Sequence, residues 1–96
     1  MMSYRVYVDD NYDYMEGRYT LGEFDSADAA LAACKRIVDE CLASHHEPGM
    51  HAGALITLYR LFGDDPWIAP LDGAPAVEFS AWRYAEERAA VICGDK

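Results

Sequence analysis

The sequence predicts an α+β fold of two layers, with its elements in the order β-β-α-α-β-α. Three observations lead to this prediction. Residues 4–8 and 18–24 are rich in β-branched and aromatic side chains that alternate along the chain, as in the strands of a half-buried sheet. From about residue 26 the apolar residues recur every three or four positions, which is the spacing of a helix with one buried face. Residues 80–92 show the same helical spacing. We therefore expect a small sheet with helices on one face, in a single domain that spans residues 1–96.

The first two elements form a predicted β-hairpin. Residues 4–8 (Tyr-Arg-Val-Tyr-Val) place their first, third and fifth side chains on one face, because successive side chains of a strand point to opposite sides. Residues 9–17 are acidic and polar and contain Asn and Gly, so they predict the hairpin loop. Residues 18–24 then predict the returning strand.

Residues 26–44 predict a long helix. Asp25 precedes it and can accept hydrogen bonds from the N–H groups that have no partner within the helix. Asp28 adds negative charge to the first turn, where the helix dipole favours it. The predicted buried face consists of apolar residues at helical spacing: Ala30, Leu31, Cys34, Ile37, Val38, Cys41 and Leu42.

The second half of the chain supplies the remaining elements. Residues 50–62 fit either a helix or a strand; helix is the favoured prediction, because Gly63 stands where helices commonly end. Residues 64–66 (Asp-Asp-Pro) predict a turn, residues 67–69 predict a short extended piece, and residues 76–79 predict the short third strand. Ser80 then caps a final helix. The predicted inward-facing residues of that helix are Trp82, Ala85, Ala89 and Ile92.

Charge and composition exclude several classes of partner. The chain has a formal net charge of -9, from 17 acidic and 8 basic residues. Such a field repels phosphate groups, and no cluster of Lys and Arg counters it, so we predict neither nucleic-acid nor membrane binding. No apolar run approaches the roughly 20 residues of a membrane helix, and residues 1–5 lack the apolar core of a signal peptide. We expect a soluble cytoplasmic protein with reduced cysteines.

One group of residues resembles a metal-binding set. Cys41 and His45 are four residues apart on a predicted helix, so their side chains share a face. His46 and His51 follow in the adjoining loop, and zinc favours thiolate and imidazole ligands. The spacing fits no standard zinc module, and a solvated loop beside a buried cysteine is the favoured interpretation. We therefore assign no metal and no cofactor, and keep His45, His46 and His51 as weak candidates.

Catalytic motifs are lacking. Asp64 and Asp65 beside Trp67 are the nearest approach to an acid/base pair, but adjacent Asp residues before a proline are typical of turns. The sequence contains no nucleophile elbow, phosphate loop or dinucleotide fingerprint. Cys34 and Cys41 fall on the predicted buried face and are poor candidate nucleophiles. We predict no catalytic residue and favour a protein that is not an enzyme.

Aromatic residues outside the helical patterns are candidates for partner contacts. Tyr12 and Tyr14 lie in the predicted hairpin loop, and Tyr7 lies on the face of the first strand opposite Val6. Trp67 follows the predicted turn. Exposed aromatic residues are common anchors at protein interfaces; alternatively, Tyr7 and Trp67 cover the edge of the core.

Two runs of the chain are similar to small bacterial proteins of unknown function. They are residues 21–26 leading into 33–40, and residues 62–66 through 79–85. The resemblance implies a stand-alone bacterial domain with a helix ahead of Gly63, and it implies no activity. We therefore predict a non-enzymatic protein-interaction or regulatory module, which binds itself as a homodimer or binds another protein. The alternative is a metal- or small-molecule-binding protein that uses the region of Cys41 and the three histidines.

Overall fold

The computed structural model describes residues 3–11 and 17–94 and confirms the α+β fold and the predicted order of elements. A three-stranded antiparallel sheet has the order β2-β1-β3. Its strands are β1 (Ser3–Asp10), β2 (Tyr19–Phe24) and β3 (Asp64–Leu71). The helices are α1 (Ala27–His45), α2 (Ala52–Phe62) and α3 (Ala81–Cys93).

The central strand β1 sets the two faces of the sheet. Tyr4, Val6 and Val8 are buried and pack against α1, as their alternation predicts. Arg5 and Tyr7 point to the other side.

A bulge interrupts the pairing of β1 with β2, because Val6 pairs with Gly22 while Tyr7 pairs with Thr20. The extra residue of β2 is therefore Leu21, which is 41% exposed.

The third strand is not where the sequence predicts it. Residues 64–66, predicted as a turn, begin β3, and residues 76–79, predicted as the strand, lie outside any helix or strand. Asp-Asp-Pro is typical of turns, but here it pairs with the end of β1, which lies far away in the sequence. Asp65 is opposite Asp9, and Pro66 is opposite Val8.

The open edge of β3 carries two prolines. The backbone N–H of Asn11 donates to the Gly63 carbonyl at 3.0 Å. This bond extends the β1–β3 ladder and shows that odd-numbered residues form its hydrogen bonds. The backbone nitrogen atoms of the even-numbered residues of β3 therefore point toward the open edge. Of Pro66, Ile68 and Pro70, only Ile68 has an N–H group. Prolines in these positions hinder the addition of another strand.

The first helix is confirmed within one residue, but its cap is Ser26 and not Asp25. The Ser26 hydroxyl accepts a hydrogen bond from the backbone N–H of Ala29 at 3.1 Å. Four residues of the predicted buried face are fully buried: Ala30, Cys34, Val38 and Leu42. They run the length of α1, so this helix contributes to both clusters of the core.

Residues 50–62 contain a helix, as favoured by the sequence, and a set of hydrogen bonds joins its end to β1 and β3. The Tyr59 hydroxyl donates to the Asp64 carbonyl at 2.6 Å. The Tyr59 carbonyl accepts from the side-chain amide of Asn11 at 2.9 Å and from the Gly63 N–H at 2.8 Å. The direction of the chain between α2 and β3 is therefore set by one buried tyrosine.

The final helix begins at the predicted cap. The Ser80 hydroxyl accepts from the backbone N–H of Arg83 at 3.3 Å, and Phe79 packs near Tyr84 with ring centroids 6.0 Å apart, as in a hydrophobic staple. The buried residues are Ala81, Ala85 and Ala89. The inward placement predicted for Trp82 is wrong: this residue is 40% exposed, because small alanine side chains bring α3 close to α1 and α2.

The helices pack on the face of the sheet that carries Val6, and the molecule is long and thin, with extents of 47 × 29 × 16 Å. Phe79 contacts both clusters of the core and joins the sheet cluster to the helix cluster. Within the described ranges, no helix combines the length and apolar character needed to cross a membrane.

Candidate functional site

The opposite face of the sheet brings two of the predicted aromatic residues together. Trp67 of β3 is the cross-strand partner of Tyr7 of β1, and their rings stack with centroids 4.8 Å apart and planes inclined by 27°. We use the term outer sheet face for Arg5, Tyr7 and Asp9 of β1, the residues paired to them on β2 and β3, and Arg18, which binds Asp9. Tyr12 and Tyr14, the other predicted partner contacts, lie outside the described residues.

One end of the outer sheet face is built around Arg5. Its guanidinium donates to the Tyr7 hydroxyl at 3.1 Å and to the Glu23 carboxylate at 3.3 Å. These two hydrogen bonds raise the pKa of Arg5, the bond to Tyr7 contributing more. Glu23 is the register partner of Arg5 on β2, so the ion pair lies across neighbouring strands, where opposite charges favour the pairing.

At the other end of the outer sheet face the signs are exchanged: β1 carries the carboxylate, Asp9, and the neighbouring Arg18 carries the positive charge. Arg18, which precedes β2, donates to both oxygens of Asp9 at 2.6 and 3.2 Å, and this contact lowers the pKa of Asp9. The same guanidinium lies 5.2 Å from the centre of the Trp67 ring, within the range of a cation–π interaction. The indole N–H of Trp67 is buried and forms no hydrogen bond within the described residues.

The outer sheet face is nearly neutral in a strongly acidic protein. Its two guanidinium groups match Asp9 and Glu23, and Asp65, paired with Asp9, adds one further carboxylate. The chain as a whole carries -9. Most of the negative charge therefore lies elsewhere, and an approaching acidic surface meets less repulsion here than on the rest of the molecule.

The weak metal candidates do not converge. His45 Nδ1 lies 2.9 Å from the Cys41 carbonyl, and the Cys41 thiol donates to Asp64 at 3.8 Å. His46 and His51 occupy the C-cap of α1 and the N-cap of α2. Among residues 3–11 and 17–94, no group of three or more His, Cys, Asp or Glu side chains is placed to hold a metal ion.

Asp64 and Asp65, which the sequence favours as turn formers over an acid/base pair, stand at the paired ends of β1 and β3. Burial raises the pKa of Asp64, with a further contribution from Asp10, and burial together with Asp9 raises the pKa of Asp65. The two pairs are in register, so each carboxylate of β3 faces one of β1. Like charges directly opposite each other in a sheet are destabilising, and at the Asp9–Asp65 pair the guanidinium of Arg18 offsets part of this repulsion.

Sequence patterns gave no sign of a groove between α1 and the start of α3. Its volume is about 670 Å³, and its lining includes Lys35, Arg83 and Tyr84. The Lys35 ammonium lies 5.7 Å from the centre of the Tyr84 ring, and the Tyr84 hydroxyl donates to Asp39 at 3.0 Å. The groove is open and its cations are balanced by Glu78 and Glu87 of its own lining, so its charge selects no ligand class.

Comparisons with protein-family models, with curated proteins and with solved structures find no match to this chain. The resemblance to small bacterial proteins therefore stays a prediction. The assignment of a function depends on the geometry of the chain itself.

Proposed function

We propose that this protein is a non-catalytic interaction module that binds another protein surface through the outer sheet face. The observation that carries the proposal is the stacked pair of Tyr7 and Trp67 on a sheet face opposite the helices. Tyrosine, tryptophan and arginine are the residues most enriched at energetically important interface positions. The outer sheet face presents all three within one cluster.

The chemistry of the described groups favours binding over catalysis. Burial raises the pKa of the Cys34 thiol to about 11 and also raises the pKa of Cys41. Both thiols therefore remain protonated near neutral pH, and thiols are poor nucleophiles compared with thiolates. Asp64 and Asp65, the carboxylates whose pKa burial raises, are at a strand end and do not line the groove between α1 and α3.

The geometry of the edges favours docking on the face. Pro66 and Pro70 remove two N–H donors from the open edge of β3, and the bulge at Leu21 distorts β2 on the other side. Bulges and prolines are the usual means by which sheet edges avoid pairing with foreign strands. A partner therefore meets side chains, and not an exposed row of backbone groups.

A photo-crosslinking experiment in living cells tests the proposal. The photoreactive amino acid p-benzoylphenylalanine replaces Thr20, an exposed residue opposite Tyr7, or Thr57, an exposed residue of α2 that serves as the matched control. We expect protein adducts from position 20 that are absent from position 57. Trp67→Ala should reduce them at least fivefold, while Trp82→Ala, which removes the exposed tryptophan of α3, should leave them unchanged.

Two results contradict the proposal. One is the same set of adducts from positions 20 and 57. The other is a set from position 20 that persists in full in the Trp67→Ala chain, provided that circular dichroism shows this chain to be folded.

A further inference from the structure

The charges of the outer sheet face follow an order that reverses from one end to the other. Along β1 the face carries a cation at Arg5, an aromatic ring at Tyr7 and a carboxylate at Asp9. The neighbouring positions carry the opposite signs, with Glu23 beside Arg5 and Arg18 beside Asp9. On β1 and on its β2 side the pattern is therefore antisymmetric about the level of Tyr7. Asp65 of β3 has no charged counterpart, because the β3 residue paired with Arg5 is Ala69.

This order makes the face complementary to itself. Consider a twofold axis that lies in the plane of the interface, runs across the strands and passes at the level of Tyr7. Rotation about it places Arg5 opposite Asp9 of a second copy and Glu23 opposite Arg18 of that copy. In a twofold interface each such contact occurs twice. The four charges of β1 and of its β2 side then each meet the opposite sign, and Asp65 meets the uncharged Ala69 of the second copy. The Tyr7–Trp67 pairs meet at the centre.

Stacking β1 directly on β1 with the strands parallel is electrostatically unfavourable at the centre of the face. A twofold axis that coincides with the line of β1 places Arg5 against Arg5 and Asp9 against Asp9 of the second copy. Juxtaposed like charges at an interface oppose association. Of the two ways of stacking β1 directly on β1, charge therefore favours the one in which the strands run antiparallel across the interface.

We infer that the partner of the outer sheet face is a second copy of this chain, packed face to face with β1 antiparallel to its counterpart. This inference rests on the proposed function and names the partner of the same surface. An eight-residue strand is about 26 Å long and three strands are about 14 Å wide, so each copy contributes an area on the order of 400 Å². Interfaces of this size are weak, and we expect a dimer in the micromolar range or weaker that depends on protein concentration and on salt.

Charge-reversal variants test the arrangement by sedimentation velocity over a range of concentrations at low ionic strength. Arg5→Glu alone places a second carboxylate against Asp9 at both contacts, and Asp9→Arg alone places two cations together twice. Each variant should raise the dissociation constant of its homodimer at least tenfold. An equimolar mixture of the two variants restores opposite charges at both contacts, and its dissociation constant should return to within about threefold of the parent value. Arg60→Glu, which reverses an ion-paired arginine of α2 away from the face, is the control and should change nothing.

The outcomes test the homodimer, the proposed function and the antiparallel arrangement separately. A parent chain that stays monomeric at all concentrations overturns the inference, while adducts from Thr20 to a different protein would leave the proposed function standing. If the single variants dissociate and their mixture dissociates as well, the antiparallel arrangement is overturned. The charge changes within each folded variant are the same alone and in the mixture, so only the contacts across the interface differ.

Discussion

Replacement of Gly63 by alanine tests the link between α2 and β3. The residue has φ -83° and ψ 176°, a conformation open to any amino acid, so the backbone does not require glycine there. The constraint is space. A Cβ atom at this position would stand 2.5 Å from Cδ1 and 2.7 Å from the carbonyl oxygen of Tyr59.

Tyr59 has little freedom to move away. Its side chain is buried, its hydroxyl is bound to the Asp64 carbonyl, and its own carbonyl accepts from Gly63 and from Asn11. Added volume in a packed interior costs about 1–3 kcal/mol. Since the new methyl group meets both a backbone atom and a ring held by a hydrogen bond, we expect Gly63→Ala to cost about 2–3 kcal/mol, at the upper end of that range. For a domain of this size, such a loss lowers Tm by roughly 10–20 °C.

The assay is urea unfolding at 25 °C, followed by circular dichroism, with Gly53→Ala as the matched control. Gly53 lies in the same helix with nothing within 4 Å of an added Cβ, so alanine there should stabilise the helix by about 0.5–1 kcal/mol. Tyr59→Phe alone should cost about 1 kcal/mol through its lost hydrogen bond. Combined with Gly63→Ala it should cost less than the sum, because the freed ring can shift. A Gly63→Ala chain as stable as its parent would refute the steric reasoning.

Three further predictions concern charge, capping and thiol reactivity. The raised pKa of Asp65 means that the folded chain holds this proton more tightly than the unfolded chain, so stability from this group is present at low pH and lost as pH rises through the raised pKa. Asp65→Asn should therefore raise the free energy of unfolding by about 0.5–1 kcal/mol at pH 7, because it removes the cost of burying a carboxylate and the repulsion from Asp9. Its urea midpoint should converge with that of the parent toward pH 4, and a less stable variant at pH 7 would contradict this. Ser80→Ala should cost about 1 kcal/mol in urea unfolding by removing the cap of α3, whereas Ser44→Ala on the exposed end of α1 should change stability little. Cys34, fully buried with a pKa of about 11, should be the last of the three thiols alkylated by iodoacetamide at pH 7.5, as measured by mass spectrometry; early alkylation would show that its site opens easily.

The elements with strong local signals were predictable from the sequence. The alternation from Tyr4 to Val8 predicted β1 and its buried face, because a period of two is a property of the strand itself. The spacing from Ala30 to Leu42 and the cap at Ser80 predicted two helices for the same kind of reason. Even here the predicted cap of α1, Asp25, is one residue before the observed cap, Ser26. Both residue types are good caps, and local propensity does not choose between them.

The local sequence pattern predicted the third strand at the wrong position, because β3 forms by pairing with β1, which is distant in the sequence. Residues 64–66 are turn formers on their own, yet pairing with the far end of β1 makes them a strand. The prolines are tolerated because β3 is an edge strand. The position of Trp82 was wrong for a related reason: three alanines on α3 allow close helix packing, so the bulky residue beside them lies outside the contact.

The candidate site also has one part that the sequence identified and another that only the folded structure shows. Composition and the alternation of β1 identified Tyr7 as a residue away from the core, and the sequence marked Trp67 as an aromatic without a helical role. The stacking of the two rings exists only because β3 pairs with β1 across nearly sixty intervening residues. The Arg18 contact with Asp9 and the order of charge depend on the register of β1 against β2, which the local pattern did not determine. Local periodicity is a property of neighbouring residues and can be read along the chain, whereas strand register is set by which distant segments bury the most surface together, and only the folded structure decides it.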